Sequence, residues 1–495
     1  MGPTIAATIY GAAAVIAAYF FRPRVSEAPA IARAALFWLV STPVLFLIAS
    51  PLGALAASGV LLAALSPSKL DDRAAYYLMT IVAVPTAVAA HVPFPGLNYL
   101  IILDFVKVAS FAILLPILVF APPPAAARHA PTPGLLILLL TLLLCGLEFR
   151  GGNLTNGLRE SLDDIIVFAM PFMAILRFTA ARPAFDKIFA SIVFLGVLFF
   201  FSAAISQATR WNFYTFLIER HGERIFADFR GGILRVSVTL IPILVGYVMT
   251  LAYLAVEYFR ASRKSGAMTA WLYRGMFAVT AFFTYSRGAW LAMIAGLGAY
   301  YFFTKAPRSL RPAALGAALF IGLPATISYV MTADFSSIDA YGTFAYRRDL
   351  LLASLEQIGA HPLFGDRNFL ESESLSHLYT GMGLIDIVNY YLKIALEQGL
   401  IALGLYLSAF AVVIAGLLGL GKRASEFQDG GVFEQQRAVL LGAVMSYLIM
   451  AATISDVSLV QHFGVVILAL ATTFLAAARA ELRGAAAEKT GDLHE

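Results

Sequence analysis

The chain has 495 residues, 60% hydrophobic and only 13% charged, with a formal net charge of +5. A soluble domain carries about 25% charged residues, so composition excludes an ordinary soluble enzyme. Apolar runs over the whole length predict an all-α polytopic membrane protein. Membrane-barrel strands of about ten alternating residues are not visible, and no basic–aromatic patch points to nucleic acid.

The first apolar stretch, Ile5–Phe21, has no charged segment before it and reads as a spanning helix rather than a cleaved leader. Further apolar stretches fall at 34–50, 51–66, 76–92, 99–121, 134–148, 165–180, 188–206, 236–257, 268–285, 288–303, 312–330, 396–420, 438–456 and 462–479. Their lengths predict about 13 to 15 transmembrane helices. Residues 1–206 read as a bland N-terminal block of Ala-, Leu- and Val-rich helices, with a Pro/Ala linker at 122–133. Residues 207–480 read as the catalytic membrane region, and 481–495 as a tail. The lone Cys145 excludes an internal disulfide and a thiolate metal site. The seven histidines lack metal-ligand spacing, so neither a metal nor a cofactor is expected. No internal repeat or inverted pair of broken helices marks a transporter.

Short basic loops at Arg260–Lys264, Lys305–Arg311, Lys422-Arg423 and Arg479–Lys489 predict the cytoplasmic side. The C-terminus is therefore expected in the cytoplasm. By parity the exterior side receives Arg210–Arg235, the junction Ser286-Arg287-Gly288 and the longest non-apolar stretch, 331–383. That stretch holds enough large apolar residues to fold. Leu350, Leu351, Ser354, Leu355 and Ile358 follow helical spacing, and Pro362 and Gly365 are expected to end the helix. Residues 385–400 are expected to begin as an amphipathic interfacial segment.

Arg287 is the only charge between Gly275 and Phe303. A charge at membrane depth costs about 3 kcal/mol on insertion scales, and intramembrane arginines face a cavity or a partner. Arg230, Arg235, Arg347 and Arg348 share its expected side. Arginine stays charged and grips oxyanions with two parallel hydrogen bonds, so arginines converging at a membrane surface suit a phosphate or diphosphate headgroup.

Thr284-Tyr285-Ser286-Arg287-Gly288-Ala289-Trp290 resembles the Ser-Arg-Gly-x-Trp motif of the O-antigen ligase and polymerase superfamily. Arg347, Leu350, Leu351, Ser354, Leu355, Ile358 and the run His361-Pro362-Leu363-Phe364-Gly365 resemble its periplasmic-loop signature. The segments Arg230–Gly246 and Asp386–Leu400 are similar to its exopolysaccharide branch. The resemblance covers roughly 210–406. It implies a glycosyltransferase-C-like membrane enzyme that takes glycan from undecaprenyl diphosphate to an acceptor hydroxyl. The implied transfer is metal-independent and inverting, at the periplasmic face of the bacterial inner membrane. A flippase and a chain-length regulator are the partner proteins such an enzyme implies. By motif position Arg287 and Arg347 are the family's arginines, and Arg235 a third.

Many family members carry a His-Asn pair after the loop, where this chain has Val388-Asn389. Valine cannot take a proton. Asp386, expected one helical turn before Asn389 and on its face, is the favoured base, with His377 and Glu397 as alternatives. The expected catalytic set is Asp386, Arg287 and Arg347, and the expected substrate-binding set is Arg235, Arg230, Arg348, Asn389 and His377. Polymerization is favoured over ligation onto lipid A–core. A lipid-linked glycan transporter and a non-catalytic scaffold are the readings from other classes.

Overall fold

Proline and apolar side chains together set where helices start along this chain. The computed structural model describes residues 2–24, 29–96, 98–178, 181–220, 229–230, 232–307, 309, 311, 343–379, 385–457 and 459–491. The expected span 312–330, and the loop residues 331–342 and 380–383, lie outside the described residues.

Helices α1 (Pro3–Phe20), α2 (Pro29–Leu47) and α3 (Pro51–Leu65) each open on a proline, which lacks the amide that a first turn would leave unbonded. Helix α4 (Leu70–Thr80) is shorter than the expected span 76–92. The chain turns at 81–88, where Val88 N donates to Pro85 O at 3.0 Å, because Pro85 cannot continue a helical ladder. A two-residue hairpin, β1 (Ala90–His91) and β2 (Ile102–Leu103), then leads into α5 (Phe105–Phe120). Helices α6 (Pro131–Leu147), α7 (154–178, with a π turn at Ile165–Ala169) and α8 (Phe185–Thr209) complete the first half.

After α9 (Thr215–Arg220), the hairpin β3 (Phe229–Arg230) and β4 (Ile233–Leu234) precedes α10 (Pro242–Ala261), α11 (Ala267–Phe283) and α12 (Arg287–Lys305). The expected loop helix is α13 (Thr343–Ala360). The chain then returns through α14 (Tyr390–Glu397) into α15 (Gly399–Gly421), α16 (Gly430–Ala451) and α17 (Val460–Gly491).

The molecule is an all-α polytopic membrane protein. Among the described residues seven helices, α1, α2, α6, α8, α10, α15 and α17, are long and apolar enough to cross a membrane, and α3 and α5 are shorter apolar helices. Burial separates the centre from the rim: 83% of the apolar window of α10 lies inside the protein, against 28% for α1. The outward faces of α1 and α6 carry Ile5, Ile9, Leu135 and Leu142, which suits lipid contact. At the centre α12 crosses α16 with Gly296 facing Gly442, where an added methyl on either would approach the other's carbonyl at 3.0 or 2.7 Å. Small residues let helix backbones meet this closely.

One end of the bundle gathers the short basic loops. Arg182 pairs there with Asp429 at 2.6 Å and Glu481 at 2.7 Å, Lys264 with Asp186, and Arg311 with Glu434 at 3.4 Å. The long loop, at the other end, has a small core of its own built from Leu350, Ala353, Phe369, Leu375, Leu378, Ile387 and Leu396. Of the expected α13 positions Leu350 and Ser354 are buried, but Leu355 is exposed.

Candidate active site

The turn between α11 and α12 presents Arg287. Tyr285 adopts φ +46°, a left-handed conformation that is strained for a bulky residue and recurs at functional sites. Its neighbours hold it: Trp290 stacks on Phe282 with ring centroids 5.6 Å apart, and its Nε1 donates to Ala281 O at 3.0 Å. Trp290 therefore packs against the turn, whereas Phe364 is exposed. Arg287 is the first residue of α12, and the Ser286 side chain makes no capping bond. The positive end of the helix dipole and the guanidinium thus share one exposed spot, and both favour an anion.

Two further arginines clasp this turn through its backbone. Arg230 Nη1 donates to Tyr285 O at 3.1 Å, and Arg235 Nε to Thr284 O at 3.4 Å. The segment leading from them into α10 is pinned by Val236 N donating to Phe283 O at 2.9 Å and by Asn212 donating to Arg235 O at 2.8 Å. Arg224 and Asp228, within the expected exterior segment Arg210–Arg235, lie outside the described residues.

Arg347 arrives from α13. Its Nη2 donates to Thr453 O at 3.4 Å, in the loop after α16. Burial lowers the Arg347 guanidinium below its ordinary value; nearby Asp386 opposes that shift and Arg287 adds to it. Arg287 and Asp386 therefore both lie within electrostatic reach of Arg347. Asp386 itself is anchored twice. Ser455 Oγ donates to its Oδ1. Tyr346 Oη donates to Asp386 O at 2.9 Å and lies 3.0 Å from Asp386 N.

The 385–389 segment is not helical, which corrects the expected shared face of Asp386 and Asn389. Asn389 is the N-cap of α14, and its side-chain oxygen accepts from Tyr391 N at 3.0 Å and Leu392 N at 3.3 Å. It has a structural task, whatever else it contacts. Arg348 is exposed and lies 3.4 Å from Asp349. His377 sits exposed on the short 3₁₀ turn Glu373–Leu378. Among the described residues no hydrogen bond or ion pair joins His377 to the arginines.

The His361–Gly365 turn acts on the backbone. Gly365 (φ +67°) and Gly399 (φ +84°) interlock, with Asp366 N donating to Leu396 O and Leu400 N to Pro362 O, both at 2.8 Å. A side chain on either glycine would strike the other's backbone. Arg150, from the seemingly bland N-terminal half, clamps the joint by donating to Phe364 O at 2.7 Å and Glu397 O at 2.9 Å. Arg367 reaches back to Glu160 at 2.6 Å.

Thr453, Ser455, Tyr346 and Arg150 were not found by sequence reasoning. None sits in a motif, and each matters through a partner distant in the chain. Arg150 alone gave a signal, as a charge at the end of an apolar helix.

No curated protein matches the chain. Residues 275–407, which contain the Arg287 turn, α13 and Asp386, match the family model described as O-antigen ligase. This match supports the resemblance of that region to the O-antigen ligase/polymerase superfamily.

Proposed function

We propose that the chain is a polysaccharide polymerase that moves glycan from undecaprenyl diphosphate to an acceptor sugar hydroxyl at the periplasmic face of the bacterial inner membrane. The observation that carries this reading is the grouping of Arg287, Arg347 and Asp386 at the amino end of α12. The acceptor hydroxyl gives its proton to Asp386 while its oxygen bonds the anomeric carbon. The bond from that carbon to the diphosphate oxygen breaks, and the lipid diphosphate leaves with the electron pair. Arg287, Arg347 and the first amides of α12 balance the charge that accumulates there. Arg230 and Arg235 hold the turn in place and extend its positive face, with Arg348 at the rim. Attack opposite the leaving diphosphate inverts the anomeric centre.

In this reading 207–480 is the catalytic region, 1–206 its membrane support, and the basic loops and C-terminal tail are cytoplasmic. The matching family's description favours a second reading, ligation onto lipid A–core, in which only the acceptor differs.

The test replaces Arg287 in producing cells. Arg287→Ala is expected to abolish long chains while protein level and lipid-linked single repeats persist. Arg287→Lys keeps charge but not the two-pronged grip, and is expected to retain partial activity. Long chains surviving in Arg287→Ala would refute the reading. Polymer found on lipid A–core, and lost with Arg287, would select the ligase.

A further inference from the structure

A second polar site lies apart from the arginines. A cavity of about 320 Å³ opens between the start of α5, the polar first half of α7 and the start of α17, and Asp104, Lys107, Asp163, Asp164, Gln461 and His462 line it. Lys107, 6% exposed, bridges Asp104 at 3.3 Å and Asp163 at 3.1 Å. Three buried wall atoms have no hydrogen-bond partner in the protein: Asp163 Oδ1, Asp164 Oδ2 and His462 Nδ1. His462 is only 4% exposed, and its Nε2 is engaged by Tyr77 Oη at 2.5 Å. Leaving a buried polar atom unpaired costs about 1–3 kcal/mol. Three such atoms in the residues around one cavity favour an occupant that offers hydrogen bonds at several points once these side chains turn toward it.

The wall chemistry narrows that occupant. Three carboxyl groups face a single lysine, so nothing here attracts a diphosphate, which belongs with the arginines. Carboxyl oxygens and an imidazole nitrogen suit hydroxyl groups, which both donate and accept. The volume is at the low end of small-molecule sites, about 300–1,000 Å³. One short segment joins the cavity to the reaction site. Ser455 bonds Asp386, while Asp456 pairs with Lys393 at 2.5 Å and accepts from the wall residue Gln461 at 2.7 Å.

The geometry points to this cavity as a subsite for a neutral, hydroxyl-rich sugar of the acceptor glycan, an inference that rests on the glycosyl-transfer reading. The donor's charge and the acceptor's hydroxyls are then recognised by different walls, positive at α12 and carboxyl-rich at α7.

The experiment measures binding without turnover. Full-length Arg287→Ala protein in detergent is titrated with oligosaccharides released by partial acid hydrolysis of the producing cell's surface polysaccharide, read by saturation-transfer difference NMR. Saturable binding is expected, weakened at least about fivefold by adding either Asp164→Asn or Gln461→Met, the size of one lost hydrogen bond. The second variant guards against misfolding of the first. Absence of binding, or equal affinity in both cavity variants, overturns the subsite and leaves a water-filled cavity. The two readings fail separately. Loss of long chains in Arg287→Ala cells with cavity-independent binding sinks only the subsite. Long chains in those cells together with cavity-dependent binding sink only the transferase and support a sugar site.

Discussion

Replacing Ser455 with alanine isolates the group that steadies the proposed base. Ser455 Oγ donates to Asp386 Oδ1 across 69 residues of sequence, and Tyr346 still holds the Asp386 backbone in the variant. A hydrogen bond to a charged group contributes about 1.5–3 kcal/mol. Asp386 is exposed, so water replaces part of the lost bond and the low end applies. With about 1.4 kcal/mol per tenfold in rate, Ser455→Ala should lower kcat roughly tenfold. KM for the lipid-linked donor should hardly move, because the arginines are untouched. Asp386→Asn should lose far more, at least about a hundredfold, the contribution of a general base. Initial rates of polymer formation from purified lipid-linked repeats measure both. Ser455→Thr keeps the hydroxyl and should recover most of the rate. Normal kcat in Ser455→Ala, or a threonine variant as slow as the alanine one, would refute the positioning role. Normal turnover in Asp386→Asn would remove the base itself.

Gly288→Ala tests how closely α12 must approach its neighbours, since the added methyl would strike Thr453 and Ile243. Overpacking of this kind costs about 1–3 kcal/mol, and polymer yield should fall more steeply than the thermal midpoint because Arg287 moves with the helix end. Arg150→Ala removes the clamp on Phe364 and Glu397 and should make the 361–378 turn cleave faster in limited proteolysis. Unchanged cleavage would show that the interlocked glycines suffice. Asn389→Ser keeps a capping oxygen and should preserve both stability and activity, whereas Asn389→Ala should lose about 1 kcal/mol of stability. Loss of activity in the serine variant would instead give Asn389 a direct role with substrate.

Periodicity and insertion cost made much of this protein legible from one dimension. Arg287 stood out because a lone charge in an apolar run is expensive, and motif order then supplied a family resemblance that the match over 275–407 supports. Spacing within Leu350–Ile358 marked the loop helix, and Pro362 with Gly365 its end, because helix patterns and breakers are local. Apolar length marked most membrane helices, but it missed the break at Pro85, where the span expected over 76–92 stops at Thr80.

What only the tertiary structure decided is the company each residue keeps. Asp386 meets Ser455, Arg347 meets Thr453 across 106 residues, and Arg150 meets Phe364 across 214. Such pairs arise where helix ends converge, and crossing helices at the close Gly296–Gly442 contact help decide which ends converge. Asn389 looked like a partner of Asp386 on one helical face, but it caps α14 and leaves Asp386 outside the helix, because a cap forms where the preceding residues are not helical. The carboxyl-lined cavity has the same origin. No motif joins Asp104, Asp163, Asp164 and His462; packing of α5, α7 and α17 brings them together.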